Sequence, residues 1–259
     1  MLCSVFMSSR VNEDRLAEDG PVLLRDIEDE FKRQCVENAV AQDARAWDPY
    51  RDVVQLSFLH QGHYAHFMLC EDNPETLTVV EATFTKLVQV YDNESDLIVG
   101  AFGFLNDVFG ESGREGCTQF GKVLVGFRTA SEIWPVLVNR AIRYGIPVYR
   151  DMLSNPDSRY STVRNLADIA SIYRQGAGPE RKMPSLPNLL RFWGCDRDGR
   201  LLPQDIAAAV CGSPLETSRT VDLYLKDILD VASRYYMINI NQDPLAGVPV
   251  PGPGDTRCQ

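Results

Sequence analysis

Apolar and polar positions along the chain change rhythm several times. Pro21 to Ile27 (PVLLRDI) is a short apolar run ending in acids, which predicts a buried strand. Val53 to Leu59 (VVQLSFL) and Tyr64 to Cys70 (YAHFMLC) are strand-like runs joined through Gln61-Gly62, the pattern of a hairpin. Thr76 to Tyr91 is rich in Thr and Val and predicts an extension of that antiparallel sheet. The rhythm then becomes helical. Leu97, Ile98, Ala101, Phe102, Leu105, Val108 and Phe109 recur on one face between Asn93, a capping residue with Asp96 three positions on, and Gly110. Val123 to Phe127 predicts a strand, and Glu132 to Tyr144 a helix closed by Gly145. Val163 to Tyr173, Leu186 to Trp193 and Ile206 to Cys211 predict short helices, and Val221 to Tyr236 a long one.

Antiparallel strands followed by strands alternating with helices predict an α/β fold, a mixed sheet covered by helices. Residues 1–20 are mixed and polar and are expected to form a loose arm. One domain is expected over residues 21–240. The Pro/Gly-rich residues 241–259 are expected to be disordered.

Composition narrows the function classes. The chain has 259 residues and a formal net charge of −10, which argues against a general nucleic-acid coat protein, since phosphate neutralisation drives non-specific affinity. It leaves room for an acidic nuclease with a local basic groove. The seven cysteines are dispersed and form no Cys-x-x-Cys pair, which fits buried thiols in a reducing compartment. The first residues carry no basic region leading a long apolar run, and no stretch is long and apolar enough to span a bilayer. A soluble, cytoplasmic protein without a membrane partner is the expectation.

Several stretches, taken in order, resemble one family. They are Leu24-Arg25-Asp26-Ile27-Glu28; the strand, turn and helix from Leu124 to Pro147, with Pro135-Val136-Leu137, Arg140-Ala141 and Gly145-Ile146; Asn165-Leu166-Ala167-Asp168; Ser185 to Gly194 (SLPNLLRFWG); and Val221-x-x-Tyr224 before an acidic helix. Together they resemble the DEDD superfamily of 3′–5′ exonucleases, and within it the exonuclease domains related to the proofreading domain of family B DNA polymerases. The resemblance implies a ribonuclease H-like fold with a five-stranded mixed sheet, its first three strands antiparallel, flanked by helices.

It also implies a chemistry. In this superfamily two divalent metals about 4 Å apart clamp the scissile phosphate, and Mg²⁺ or Mn²⁺ requires oxygen donors, chiefly carboxylates. The ligand would be the 3′ end of a single-stranded nucleic acid. Asp26 and Glu28 match the first motif, and their alternation on a strand sends both to one face. With Asp29 and Glu30 they also fit a solvated charge run. In the second motif the expected aspartate is Ile133, and Arg128-Thr129 stands where Asn-Gly is usual. Glu132 substitutes as a metal ligand only if the turn shifts by one residue; otherwise it is a first-turn helix acid. In the third motif the expected aspartate, four residues after Tyr224, is Ile228. Asp227, and after it Asp230, are the neighbouring candidates for metal binding, and both also fit solvent acids paired with Lys226 or Arg234. The catalytic set implied is thus Asp26, Glu28 and Asp227, with Arg128 and Tyr224 as substrate contacts. The alternative is an inactive descendant of the fold that binds nucleic acid or a protein partner, with Ile133 and Ile228 filling an emptied metal pocket. A zinc site at His60, His63 and His66 is disfavoured, because the hairpin pattern scatters them.

Overall fold

The computed structural model describes residues 2–12, 51–71, 76–81, 84–110, 123–147, 166–177, 183–195 and 201–239. They form an α/β fold with a mixed sheet of seven strands rather than five. In chain order these are β1 (Leu2–Val11), β2 (Arg51–His60), β3 (His63–Leu69), β4 (Thr76–Glu81), β5 (Phe84–Tyr91), β6 (Val123–Gly126) and β7 (Leu166–Asp168), and across the sheet they lie β4-β5-β3-β2-β1-β6-β7. The helices are α1 (Glu94–Gly110), α2 (Trp134–Tyr144), α3 (Ile169–Ala177), α4 (Leu186–Phe192), α5 (Pro203–Ala209) and α6 (Pro214–Asn239).

The largest correction concerns the expected N-terminal arm. Residues 2–11 are a strand between β2 and β6, antiparallel to the first and parallel to the second. Cys3, Val5 and Met7 pack with α1 and α2, while Leu2 and Phe6 pack with α6. Ser4 and Ser8 are also buried, and these serines gave the segment its polar look. The expected strand Pro21–Ile27, with Asp26 and Glu28, lies outside the described residues.

The β2–β3 hairpin forms as expected, with Gln61 at φ 50° and Gly62 at φ 81°. Two consecutive residues at positive φ are the mark of a two-residue turn whose twist matches its strands. Both strands are buried along nearly their whole length, because helices cover both faces. Thr76 to Tyr91 forms two strands, β4 and β5, paired antiparallel and joined to the sheet. Its second strand, β5, returns between β4 and β3 and runs parallel to β3, which the antiparallel expectation missed.

α1 has the predicted cap and stripe. The Asn93 side chain accepts from the Asp96 backbone N–H at 2.9 Å and donates to the Asp96 carboxylate at 2.9 Å. All seven apolar stripe residues are buried. Gly100, inside this helix, meets the side chain of Tyr91 so closely that a side chain there would collide with it. Leu166–Asp168, expected to be helical, is instead the short edge strand β7 paired with β6, and the helix starts at Ile169.

Two helical layers sandwich the sheet: α1 and α2 on one face, α6 with α3, α4 and α5 on the other. A buried ion pair locks α1 to α2 and β2. Glu94 accepts from Arg140 Nε at 2.8 Å, from the Val53 N–H at 2.8 Å and from the Tyr144 hydroxyl at 2.5 Å. Among the described residues no helix is long and apolar enough to cross a membrane.

Candidate functional site

Sheet topology points to one place. β1 and β6 run parallel side by side, but the chain leaves β1 toward β2 on one side and β6 toward β7 on the other. In open α/β sheets, ligands settle outside the carboxyl ends of strands at such a switch point. The β1–β6 register ends at Val5 and Gly126. Beyond it β1 continues paired with β2 but not with β6, leaving a crevice of about 440 Å³ beside Phe6 and Met7.

The turn after β6 shapes one wall. Arg128 adopts φ 57° and ψ 35°, the left-handed region, and its carbonyl accepts from Glu132 N at 2.8 Å and Ile133 N at 3.2 Å, closing a π-helical turn over Thr129–Ile133 before α2. Asp168, at the end of β7, holds this turn from below. Its Oδ1 accepts from the backbone N–H of Arg128 and of Ala170, both at 2.8 Å. Burial nevertheless pushes the Asp168 carboxyl above its ordinary range, since desolvation outweighs the two N–H bonds and nearby Arg174. Gly126 admits no side chain, because a Cβ would lie 2.8 Å from both the Val5 carbonyl and Thr129 Oγ1.

A left-handed, non-glycine residue costs roughly 1–2 kcal/mol. Arg128→Gly is therefore expected to leave the free energy of unfolding unchanged or raise it by up to about 1 kcal/mol, although it removes the ion pair with Glu132. Arg128→Val is expected to lower it by roughly 1–2 kcal/mol, because a branched side chain is strained there. Urea titrations of the three proteins check this ordering.

The crevice is apolar. Val5, Phe6 and Met7 form its floor, Phe127 and Ile133 one wall, and Leu186, Pro187, Leu202 and Ile228 the other. The ionisable groups lining it, Arg128 and Glu132, form an ion pair with each other, and the Arg128 guanidinium lies 5.3 Å from the centre of the Phe127 ring.

Of the predicted site residues that are described, Arg128 and Glu132 line the crevice, and Asp227, Asp230 and Tyr224 do not. Glu132 reaches the crevice but is half exposed and engaged by Arg128. Asp227 is 1% exposed and is not among the lining residues; its neighbour Ile228 is. Asp230 lies on the outer face of α6 and pairs with Arg234. Tyr224 is fully buried, stacked on Phe6 at 5.3 Å, and its hydroxyl donates to the Leu201 carbonyl at 2.8 Å. It is a packing residue and touches no open space. Among the described residues no three His, Cys, Asp or Glu side chains come together. Mg²⁺ and Mn²⁺ require several oxygen donors, so the described lining does not fit them.

Met7 and Leu202 fall in no stretch that the sequence singled out, whereas Leu186 and the turn-holding Asp168 lie in stretches that carry the resemblance but were given no role in the site. A signal for Asp168 was present, as an acid directly after an apolar pair and before a helix. Met7 lay in the segment read as an arm.

A second polar cluster sits under α6. His66 Nε2 donates to Asp222 Oδ1 at 3.0 Å, which leaves Nδ1 to accept from Ser57 Oγ at 2.9 Å, and Lys86 pairs with the same Asp222. Burial lowers the His66 pKa, partly offset by Asp222. The grouping contains the residue types of a hydrolytic triad, but Ser57 and His66 have no solvent exposure, so no substrate reaches them. The cluster ties α6 to the sheet. Of the other histidines, His60 and His63 face each other across the β2–β3 hairpin.

No protein-family model matches the chain, and no curated protein matches its sequence.

Proposed function

We propose that this chain is a ribonuclease H-like module that binds a protein partner and does not cut nucleic acid. The observation that carries this reading is the lining of the switch-point crevice. Among the described residues it is lined by apolar side chains such as Met7, Ile133 and Ile228, the two isoleucines at the positions where the resembled family has aspartates, whereas two-metal hydrolysis needs converging carboxylates. An ion-paired Glu132 supplies one carboxylate at most.

Support for the ribonuclease H-like part comes from three antiparallel strands, β3, β2 and β1, followed by the parallel strands β6 and β7 with a helix between them. The left-handed conformation of Arg128 adds to it. The resembled family has asparagine at that position, and asparagine is among the residues that tolerate this conformation best. The backbone turn is thus kept while the metal-binding side chain that follows it is gone. The net charge of −10 and the apolar crevice favour protein over nucleic acid as the partner.

Single strands of DNA and RNA, labelled near the 3′ end and incubated with the full chain and Mn²⁺, test the proposal. The expected result is no nucleotide release above that of the buffer alone. Release that disappears in Asp26→Ala would overturn the proposal and restore the exonuclease reading, with Asp26 and Glu28 as metal ligands.

A further inference from the structure

β1 outlasts its parallel neighbour. It runs from Leu2 to Val11, but its pairing with β6 stops at Val5 and Gly126. On its other side β2 stays paired with it as far as Val11. From Met7 onward, the side of β1 turned away from β2 meets no strand among the described residues, and no other backbone–backbone hydrogen bond reaches it there. A strand side of this kind holds a row of N–H and C=O groups without partners. The irregularity in the β1–β2 register between Ser8 and Ser9 does not blunt it. The partners step from Gln55 to Val53, so the extra residue is Val54 of β2 and β1 itself stays regular.

Two pockets flank this open side, one on each face of the sheet. One, of about 690 Å³, lies toward α5, with Ser8, Val11, Ala207 and Ala208 in its lining. The other, of about 260 Å³, lies toward α2, with Ser131, Pro135 and Asn139 in its lining. Met7, Ser9 and Arg51 line both, so the pockets meet at the strand. The α5-side pocket also holds an unanswered polar group. Ser8 is 5% exposed, and its hydroxyl has no hydrogen-bond partner among the described residues. A buried polar atom without a partner is rare in a folded protein.

These features suit one kind of occupant. An extended backbone complements a row of backbone groups, and its side chains alternate between the two faces. Strand addition draws affinity from main-chain hydrogen bonds and specificity from pockets for alternate side chains. We infer that the side of β1 from Met7 to Val11 receives an extended segment of a partner protein as an added strand. One side chain of that segment enters the α5-side pocket. Threonine fits there, its methyl against Ala207 and Ala208 and its hydroxyl answering Ser8. The next enters the α2-side pocket, whose serine and asparagine suit a polar group. A second copy of this chain fits less well, because it would bring its own α2 and α5 into the space of the pockets. Single-stranded nucleic acid offers phosphates in place of a row of amides, and the arginines in the lining are already engaged, Arg10 by Glu71 and Arg51 by Ser9. The inference rests on the partner-binding reading and adds the form of the partner and its place.

Selection of a random peptide library on the immobilised full chain tests it, followed by methylation of each backbone nitrogen of an enriched peptide in turn. The enriched peptides are expected to be rich in Thr, Val and Ile and poor in Pro. Affinity is expected to fall at least about tenfold at every second nitrogen and to hold at those between. Ala208→Arg fills the α5-side pocket from an exposed helical position. It is expected to weaken binding by at least about tenfold and to leave the thermal unfolding midpoint where it was. Hydrogen exchange is expected to slow over Met7–Val11 when peptide binds. The inference is overturned if nothing is enriched, if the methylation pattern does not alternate, or if Ala208→Arg binds as tightly as the parent. It is equally overturned if exchange slows at the outer strand β4 instead, if oligothymidylate displaces the peptide, or if the chain alone dimerises through Met7–Val11. Nucleotide release in the Mn²⁺ assay would remove the non-cutting reading and leave the peptide result standing. Failure of the selection without nucleotide release would do the reverse, so the two failures are distinguishable.

Discussion

Glu94→Ala is expected to lower the free energy of unfolding by about 3–5 kcal/mol, the usual cost of breaking one side of a buried ion pair. Both partners are almost wholly desolvated, with side chains 6% exposed for Glu94 and 3% for Arg140. Removing the carboxylate leaves the Arg140 guanidinium buried with its main counter-charge gone, and also strips an acceptor from the Val53 N–H and the Tyr144 hydroxyl. Tyr144 already reports the environment: burial, and then its hydrogen bond to Glu94, push its pKa up from 10.0 to about 12. The double variant Glu94→Ala/Arg140→Met is expected to recover most of the loss, because the penalty lies in the stranded charge and not in any large net gain from the pair. Denaturant titrations check both. The midpoint should drop in the single variant with its slope unchanged, and a loss under about 1 kcal/mol would mean that water reaches Arg140 once Glu94 is gone.

Tyr224→Ala is expected to cost about 3–5 kcal/mol, as for other large buried rings truncated to alanine. The ring is wholly buried and stacked on Phe6, so its loss opens a void between α6 and the middle of the sheet. Tyr224→Phe separates packing from polar contact. It keeps the ring and removes one hydrogen bond to the Leu201 carbonyl, at an expected cost of about 0.5–1.5 kcal/mol. A ligand-contacting tyrosine would behave differently, with the phenylalanine variant losing binding at unchanged stability. That result would move Tyr224 back into the site the exonuclease resemblance gave it.

Elements whose local pattern agrees with their surroundings were legible in the sequence. The α1 stripe with its Asn93 cap and the β2–β3 hairpin at Gln61-Gly62 are of this kind. β1 was not, because Ser4 and Ser8 are buried on its α6 face and serine carries no hydrophobic signal. β7 has three residues, too few to show any period. For the site, Ile133 and Ile228 stood out as gaps in a motif, and both do line the crevice. Met7 and Leu202 reach the same crevice only through topology, from segments far apart in the chain. The left-handed Arg128 could not be foreseen, since arginine has no preference for that conformation. Asp26 and Glu28 lie outside the described residues, and their part in the motif rests on the resemblance alone.

The place of β1 between β2 and β6 has a further consequence, for the order in which the molecule becomes itself. Its parallel neighbour is Val123–Gly126, and Phe6 is covered by Tyr224, near the far end of the described chain. During synthesis the β2–β3 hairpin can pair as soon as it is made, but β1 lacks one neighbour until β6 exists and lacks its cover until α6 does. Contacts so distant in sequence make folding slow and keep early-made apolar surface open to wrong partners. The interval between translating Phe6 and translating Tyr224 is when this protein most depends on being shielded.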